Sequence, residues 1–298
     1  MLSTYLKLYG SAFFWGGTFI AGRLLAGRVE PQNAALLRFV IASLLLTAMT
    51  LRSEGRLPKL TLRQLVAVTA LGLTGIFAYN LLFFSGLQDV RAGRAALIIA
   101  LNPVVITLCA ALLFKETLSV TRVAGVMLSL TGAAIVITRG DLAGIIDSGI
   151  GRGELLILGC VASWSLYSLI GKTTMHGMSP LAAVTCSSIA GAALLTVPAL
   201  VSGSLFNIAA IPFGDWLSIG YLGVFGTVLG FLWYFEGIQR IGASRAAIFI
   251  NFVPINGVLL ATLLLDEPVT TALLTGGLLV VSGSWLTNRP VVLKQQAG

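Results

Sequence analysis

Two prolines with asparagines beside them are the first residues whose types and spacing suggest binding chemistry. Asn102 precedes Pro103, and Asn251 and Asn256 flank Pro254. A proline inside a helix removes one backbone donor and pushes the carbonyl four residues earlier out of the ladder. Freed carbonyls and asparagine amides can together hold the ammonium or the carboxylate of a zwitterion. The same asparagines can instead bond a neighbouring helix, with proline only shaping a kink. An aromatic stripe accompanies them. Trp15, Thr18, Phe19 and Gly22 share one helix face, and Trp164, Tyr167, Ser168 and Gly171 repeat it. Tyr79 and Asn80 add amphipathic groups, whereas Trp233 and Tyr234 sit near the end of an apolar run, where such rings mark a bilayer interface. Arg38 stands inside an apolar run next to Phe39. A charge so placed is a functional candidate, although arginine can also reach the interface.

Missing residues are informative too. None of the eleven Asp and Glu residues lies in the middle of an apolar run, Glu154 and Glu236 being closest to the run ends. A proton-exchanging site for lipophilic cations would keep a buried carboxylate. No Ser/His set, aspartate pair or ligand cluster appears, so neither an enzyme nor a cofactor nor a metal is expected. The single histidine, His176, falls in a gap, and Cys109, Cys160 and Cys186 read as packing residues inside apolar runs.

Composition dictates the elements that must position these groups. Of 298 residues 57% are hydrophobic and only 10% charged, too few for a soluble coat when about 25% is ordinary. Mean hydropathy is +0.96. A soluble enzyme, a nucleic-acid-binding domain and a disordered chain are excluded, and the net charge of +8 is spread through short gaps as bilayer anchors rather than gathered on one basic face. Ten runs are long enough to cross about 30 Å of hydrocarbon: 6–26, 34–51, 64–84, 92–114, 119–138, 153–171, 180–201, 216–235, 243–265 and 269–287. They are continuously apolar, which rules out a transmembrane barrel. The first lacks a clear cleavage site and is expected to stay as a span. Twelve basic residues on one side of the resulting topology against six on the other put both termini in the cytoplasm.

The chain repeats itself. Arg94–Glu116 aligns without a gap on Arg245–Glu267 at an offset of 151, matching Arg94, Ala95, Ala96, Pro103 and Glu116 to Arg245, Ala246, Ala247, Pro254 and Glu267. Gly125 and Gly132 meet Gly276 and Gly283, while an offset of 149 joins Trp15, Gly22 and Pro31 to Trp164, Gly171 and Pro180. An odd number of spans repeated in one chain inserts upside down the second time, the architecture of many secondary transporters. Glu116 and Glu267 are expected to cap or anchor the helix of the following span. Arg94 and Arg245 are expected at opposite membrane faces, as anchors or gate-closing ion pairs.

The doubled Pro-x(12)-Glu pattern, with its trailing glycines and early Trp15 and Trp164, resembles the EamA-type repeat of the drug/metabolite transporter superfamily. The whole sequence is most similar to the YddG-type exporters of aromatic and other neutral amino acids. That resemblance implies a bacterial inner-membrane exporter of a small metabolite, with a central cavity and the lipid bilayer as its surroundings. The expected fold is therefore all-α and integral to the membrane, ten helices as two inverted five-helix repeats, residues 1–140 and 151–290. A cavity between spans one, three, four, six, eight and nine is expected to use Trp15, Tyr79, Asn102, Trp164, Tyr167, Asn251 and Asn256, with Arg38 a further candidate. A monomer suffices, nucleic acid is not a partner, and the absent buried carboxylate favours a facilitator. A proton-coupled multidrug or metabolite exporter is the alternative.

Overall fold

The computed structural model describes residues 1–114, 119–141, 150–174, 178–241, 246 and 248–287. Glu116, His176 and Arg245 lie outside the described residues. Every regular element among the described residues is helical. In chain order these are α1 (Leu2–Leu25), α2 (Pro31–Glu54), α3 (Leu62–Leu71), α4 (Tyr79–Asp89), α5 (Ala92–Ile99), α6 (Asn102–Phe114) and α7 (Val120–Thr138). The remainder are α8 (Arg152–Thr174), α9 (Pro180–Val201), α10 (Phe213–Gly223), α11 (Gly230–Ile241), α12 (Phe252–Leu265) and α13 (Thr271–Thr287).

Local sequence explains the ends. Pro31 and Pro180 occupy first helical positions, where a missing N–H costs nothing. Thr61 and Gln64 form a reciprocal capping box on α3, and Gly55 closes α2 at φ 74°. Eight stretches are long and apolar enough to cross a bilayer: 31–54, 62–89, 92–113, 120–138, 152–171, 180–201, 213–238 and 248–265. They fall on the second to ninth expected runs. The first run lies on α1, which has 24 residues but is diluted by Ser3, Thr4, Lys7 and its glycines. The tenth lies on α13, whose described part has 17 residues.

Packing follows the logic of a bundle in lipid. Small residues such as Ala34, Ala35, Ala42, Ala92 and Ala95 fill the interior, while Leu112, Val201 and Phe206 stand exposed on the perimeter. Four glycines make the tightest helix pair. A Cβ on Gly132 would sit 2.5 Å from the Gly276 carbonyl oxygen, and one on Gly283 2.5 Å from that of Gly125. Residue 125 faces 283 and 132 faces 276, so α7 and α13 run antiparallel, and each glycine meets the repeat mate of the other glycine on its own helix. Ser129 Oγ donates to the Val280 carbonyl at 3.1 Å in the middle of this crossing.

Two long helices lose α geometry at matching places. α3 passes through a π-helical stretch, Gly72–Ala78, into α4, and α10 passes through another, Val224–Leu229, into α11. Gly72 and Gly75 correspond to Gly223 and Gly226 at the offset of 151. A Cβ on Gly75 would lie 2.2 Å from the Tyr167 ring, and one on Gly226 2.6 Å from Thr18 Cγ2, so the bare backbone lets α8 and α1 close in. The prolines act as expected. The helix breaks at Ala100 and Leu101 just before Pro103, and a 3-10 turn, Ile248–Asn251, leads into α12 ahead of Pro254.

Candidate functional site

A cavity of about 620 Å³ lies inside the bundle, within the range of about 300–1,000 Å³ usual for small-molecule sites. Helices α1, α4, α8 and α11 give it aromatic walls. Trp15 packs on Phe231 at 5.5 Å between ring centroids and on Tyr234 at 5.3 Å. Phe231 reaches Trp164 at 6.4 Å, Trp164 reaches Tyr79 at 5.6 Å, and Tyr79 stacks on Phe83 at 5.9 Å. Phe83 meets Phe19 at 5.3 Å, one helical turn from Trp15, which completes a belt of rings. Tyr167 leans on Trp164 at 5.1 Å. Trp15 is fixed by donating from Nε1 to the Gly226 carbonyl at 3.0 Å, within the second π-helical stretch.

Polar groups are few and placed at the helix breaks. Asn102 and Asn251 both line the cavity, next to the breaks made by Pro103 and Pro254. The buried Oδ1 of Asn102 and Nδ2 of Asn251 have no hydrogen-bond partner, while Asn251 Oδ1 accepts from Ser284 Oγ at 3.0 Å. The two carbonyls whose helical donors the prolines remove belong to Ile99 and Ile250, both cavity residues. Arg38 is the only charged side chain among the described residues of the wall, and it is 7% exposed. Its Nε donates to Thr227 Oγ1 and its Nη1 to Asn80 Oδ1, each at 3.0 Å. Thr227 in turn donates to the Leu222 carbonyl at 2.9 Å, and Asn80 Nδ2 to the Ile76 carbonyl at 2.8 Å. Both acceptors are therefore held at the π-helical stretches, one in each half of the chain.

The cavity lies nearer one end of the bundle than the other. Its wall comes within three residues of the last described residues of α8, α11 and α13, at Gly171, Ile238 and Ser284, but at the other end stops at Phe19, Arg38, Phe83 and Ala96. That far end is tied shut. Arg94 Nη1 pairs with Glu154 Oε1 at 3.0 Å. Ala92 and Gly93, at the start of α5, donate their N–H groups to the two Glu267 oxygens at 2.8 and 3.0 Å. Arg28 adds an ion pair to the buried Asp215 at 3.3 Å. At the end nearer the cavity Lys7 pairs with Glu236 at 2.7 Å.

Of the eight residues expected to bind substrate, seven line this cavity: Trp15, Arg38, Tyr79, Asn102, Trp164, Tyr167 and Asn251. Asn256 does not. It sits where α12 crosses α1, with Oδ1 accepting from Tyr9 at 3.2 Å and its Cβ lying where a side chain on Gly16 would have to be. Three other expectations are corrected. Spans two and ten join the wall through Arg38, Val281 and Ser284, because Arg38 bonds across to Thr227 and Asn80, and Ser284 of α13 bonds to Asn251 in the 3-10 turn. Tyr234 faces the cavity rather than an interface, one ring contact from Trp15. Glu267 caps α5 of the first half and not the following helix, which starts only at Thr271. Asn80, Thr227, Phe83 and Phe231 went unmarked as site residues, yet the doubled Gly-x-x-Gly of 72–75 and 223–226 signals where they gather.

The sequence profile of the EamA-like transporter family matches this chain twice, over residues 2–138 and 151–289. The uncharacterized transporter YyaM of Bacillus subtilis is 30% identical over 282 residues, 95% of this chain and 92% of its own. A probable terminal-alkyne amino-acid exporter of Streptantibioticus cattleyicolor is 27% identical over 277 residues, 92% of this chain and 90% of that protein. One crystal structure superposes over 96% of both chains with a TM-score of 0.64 at 22% identity, a likeness of fold alone.

Proposed function

The chain belongs to the EamA-like transporter family, and we propose that this multi-pass membrane transporter exports neutral amino acids, aromatic ones included, by alternating access. The observation that carries the reading is the cavity. Aromatic rings surround it, Asn102 and Asn251 stand in its wall at the helix breaks, and no carboxylate lines it among the described residues. A neutral zwitterion with an apolar side chain suits such walls, and a lipophilic cation does not. The relative that carries an amino-acid exporter's name supports the same class of cargo.

The architecture in this reading is ten spans in two inverted repeats, residues 1–140 and 151–290, in a bacterial inner membrane with both termini cytoplasmic. Reciprocal packing of Gly125, Gly132, Gly276 and Gly283 about one point is what a two-fold axis in the membrane plane produces. With that topology the tied end, at Arg94, Glu154 and Glu267, is the outer one, and in this reading the cavity loads from the cytoplasm. Export then requires the outer ties to part and the cytoplasmic end to close, with the breaks before Pro103 and Pro254 as flexible points. The monomer holds the whole cavity. The lack of an acid among the described residues of the wall supports a facilitator.

Efflux of labelled amino acids from proteoliposomes, with and without an imposed pH gradient, tests this. Gradient-independent efflux of phenylalanine or another neutral amino acid is expected. Efflux of a cationic dye that requires the gradient, with no amino-acid efflux, would overturn the reading in favour of a proton-coupled drug exporter.

A further inference from the structure

Arg38 is unusual in being held by neutral groups, with no counter-charge among the described residues. It lies on α2 seven residues past Pro31, about 10 Å along the helix. Among the described residues no carboxylate pairs with it, although the other ion pairs of the bundle bring acids to Lys7, Arg28, Arg94, Arg152 and Arg240. A buried guanidinium without an anion is costly, and it persists here because Thr227 and Asn80 hold two of its three nitrogens. Its Nη2 has no hydrogen bond among the described residues, and the side chain forms part of the cavity wall. The repeat sharpens the point. At the offset of 149 the mate of Arg38 is Ser187, so this positive charge belongs to one half of the cavity alone.

The geometry points to Arg38 as the receptor for the substrate's carboxylate, with Asn80 and Thr227 as the residues that position it. The inference rests on the amino-acid reading above and deepens it by giving the substrate a direction. The carboxylate is held at the tied end of the cavity, at Nη2, and replaces the missing counter-charge. The ammonium group turns away from the guanidinium, and the apolar side chain lies among Trp15, Trp164 and Phe231. The same charge rejects molecules with net positive charge, which is a physical reason for excluding cationic drugs beyond the lack of an acid. Because Asn80 and Thr227 lie in different halves, the guanidinium spans the seam that must move during transport.

The experiment compares two probes that differ only at the group in question, 3-phenylpropionate and its uncharged amide. Their binding to the purified full chain in lipid nanodiscs is measured by calorimetry, for the native protein, Arg38→Gln and Arg38→Lys. One or two charge-assisted hydrogen bonds lost should weaken binding about 10- to 100-fold. The native protein should prefer the acid by that factor, Arg38→Gln should bind both alike, and Arg38→Lys should keep part of the preference. Equal binding of acid and amide by the native protein overturns the inference, whether or not the variants fold. So does an undiminished acid preference in folded Arg38→Gln. If phenylalanine is exported in either case, only the role of Arg38 fails. If neither probe binds and no amino acid is exported, both readings fall together.

Discussion

Removing the Glu267 carboxylate should loosen the far end of the bundle by an amount that can be worked out. Its two oxygens accept the N–H groups of Ala92 and Gly93 at 2.8 and 3.0 Å, both donors that α5 leaves unpaired within its own first turn. A hydrogen bond to a charged group contributes about 1.5–3 kcal/mol, and a negative charge at a helix N-terminus adds about 0.3–1 kcal/mol. Glu267→Gln keeps one acceptor oxygen but loses the charge and turns an NH2 group toward the second donor. The expected cost is about 2–4 kcal/mol, a factor of about 30 to 700. Hydrogen exchange of the α5 first turn, followed by mass spectrometry in nanodiscs, reads this directly, because those amides are the donors concerned. Exchange at Ala92 and Gly93 should accelerate by that factor, while amides of α11 at the opposite end stay unchanged. Glu267→Asp, which keeps the charge on a shorter arm, should fall between. Unaltered exchange in Glu267→Gln would refute the reasoning, for it would mean that the carboxylate does not hold α5.

Gly132→Ala should lower the thermal stability, by about 1–3 kcal/mol, because its Cβ would lie 2.5 Å from the backbone of Gly276, which cannot swing away; an unfolding midpoint equal to the native one would contradict the crossing. Trp164→Ala should raise the KM for aromatic substrates about two- to tenfold and that for valine less, since it removes from the cavity wall a ring on which a substrate ring can pack, a contact worth about 0.5–1.5 kcal/mol. Equal changes for both would show that the ring belt does not sort side chains. Asn256→Leu should leave substrate affinity intact and show its effect in stability alone, since the residue packs between helices. Reversing an imposed pH gradient should change initial efflux rates by less than about twofold, because no carboxylate lines the cavity among the described residues.

Much of this was legible in the sequence because apolar runs and their doubling are one-dimensional signals. The runs fell on helices, and the offset that joins Gly125 to Gly276 also marks the crossing of α7 and α13. Side chains expected from helical spacing, Trp15, Trp164 and Tyr167, face one cavity. Asn256 was misjudged because its place beside Pro254 fixes its depth but not its direction, and α1 happens to cross there. The partner of Glu267 was illegible for a similar reason: a cap on a distant helix leaves no local spacing. The π-helical stretches carry no hydrophobic period of their own. They show only as a repeated pair of glycines, and without them neither Asn80 nor Thr227 can be placed on Arg38.

Considered as a copied unit that later drifted, the chain divides its positions into two kinds. Gly125 meets Gly283 and Gly132 meets Gly276, so a bulkier residue in either copy is obstructed by the backbone of the other. Drift is blocked there from both sides. Several cavity positions have no such mutual restraint, and the copies differ at them: Arg38 against Ser187, Tyr79 against Gly230, Asn102 against Val253, while Trp15 and Trp164 stay alike. A new cargo can therefore be acquired by changing one copy's wall while the shared axle stays as it is, which lets one scaffold serve many substrates.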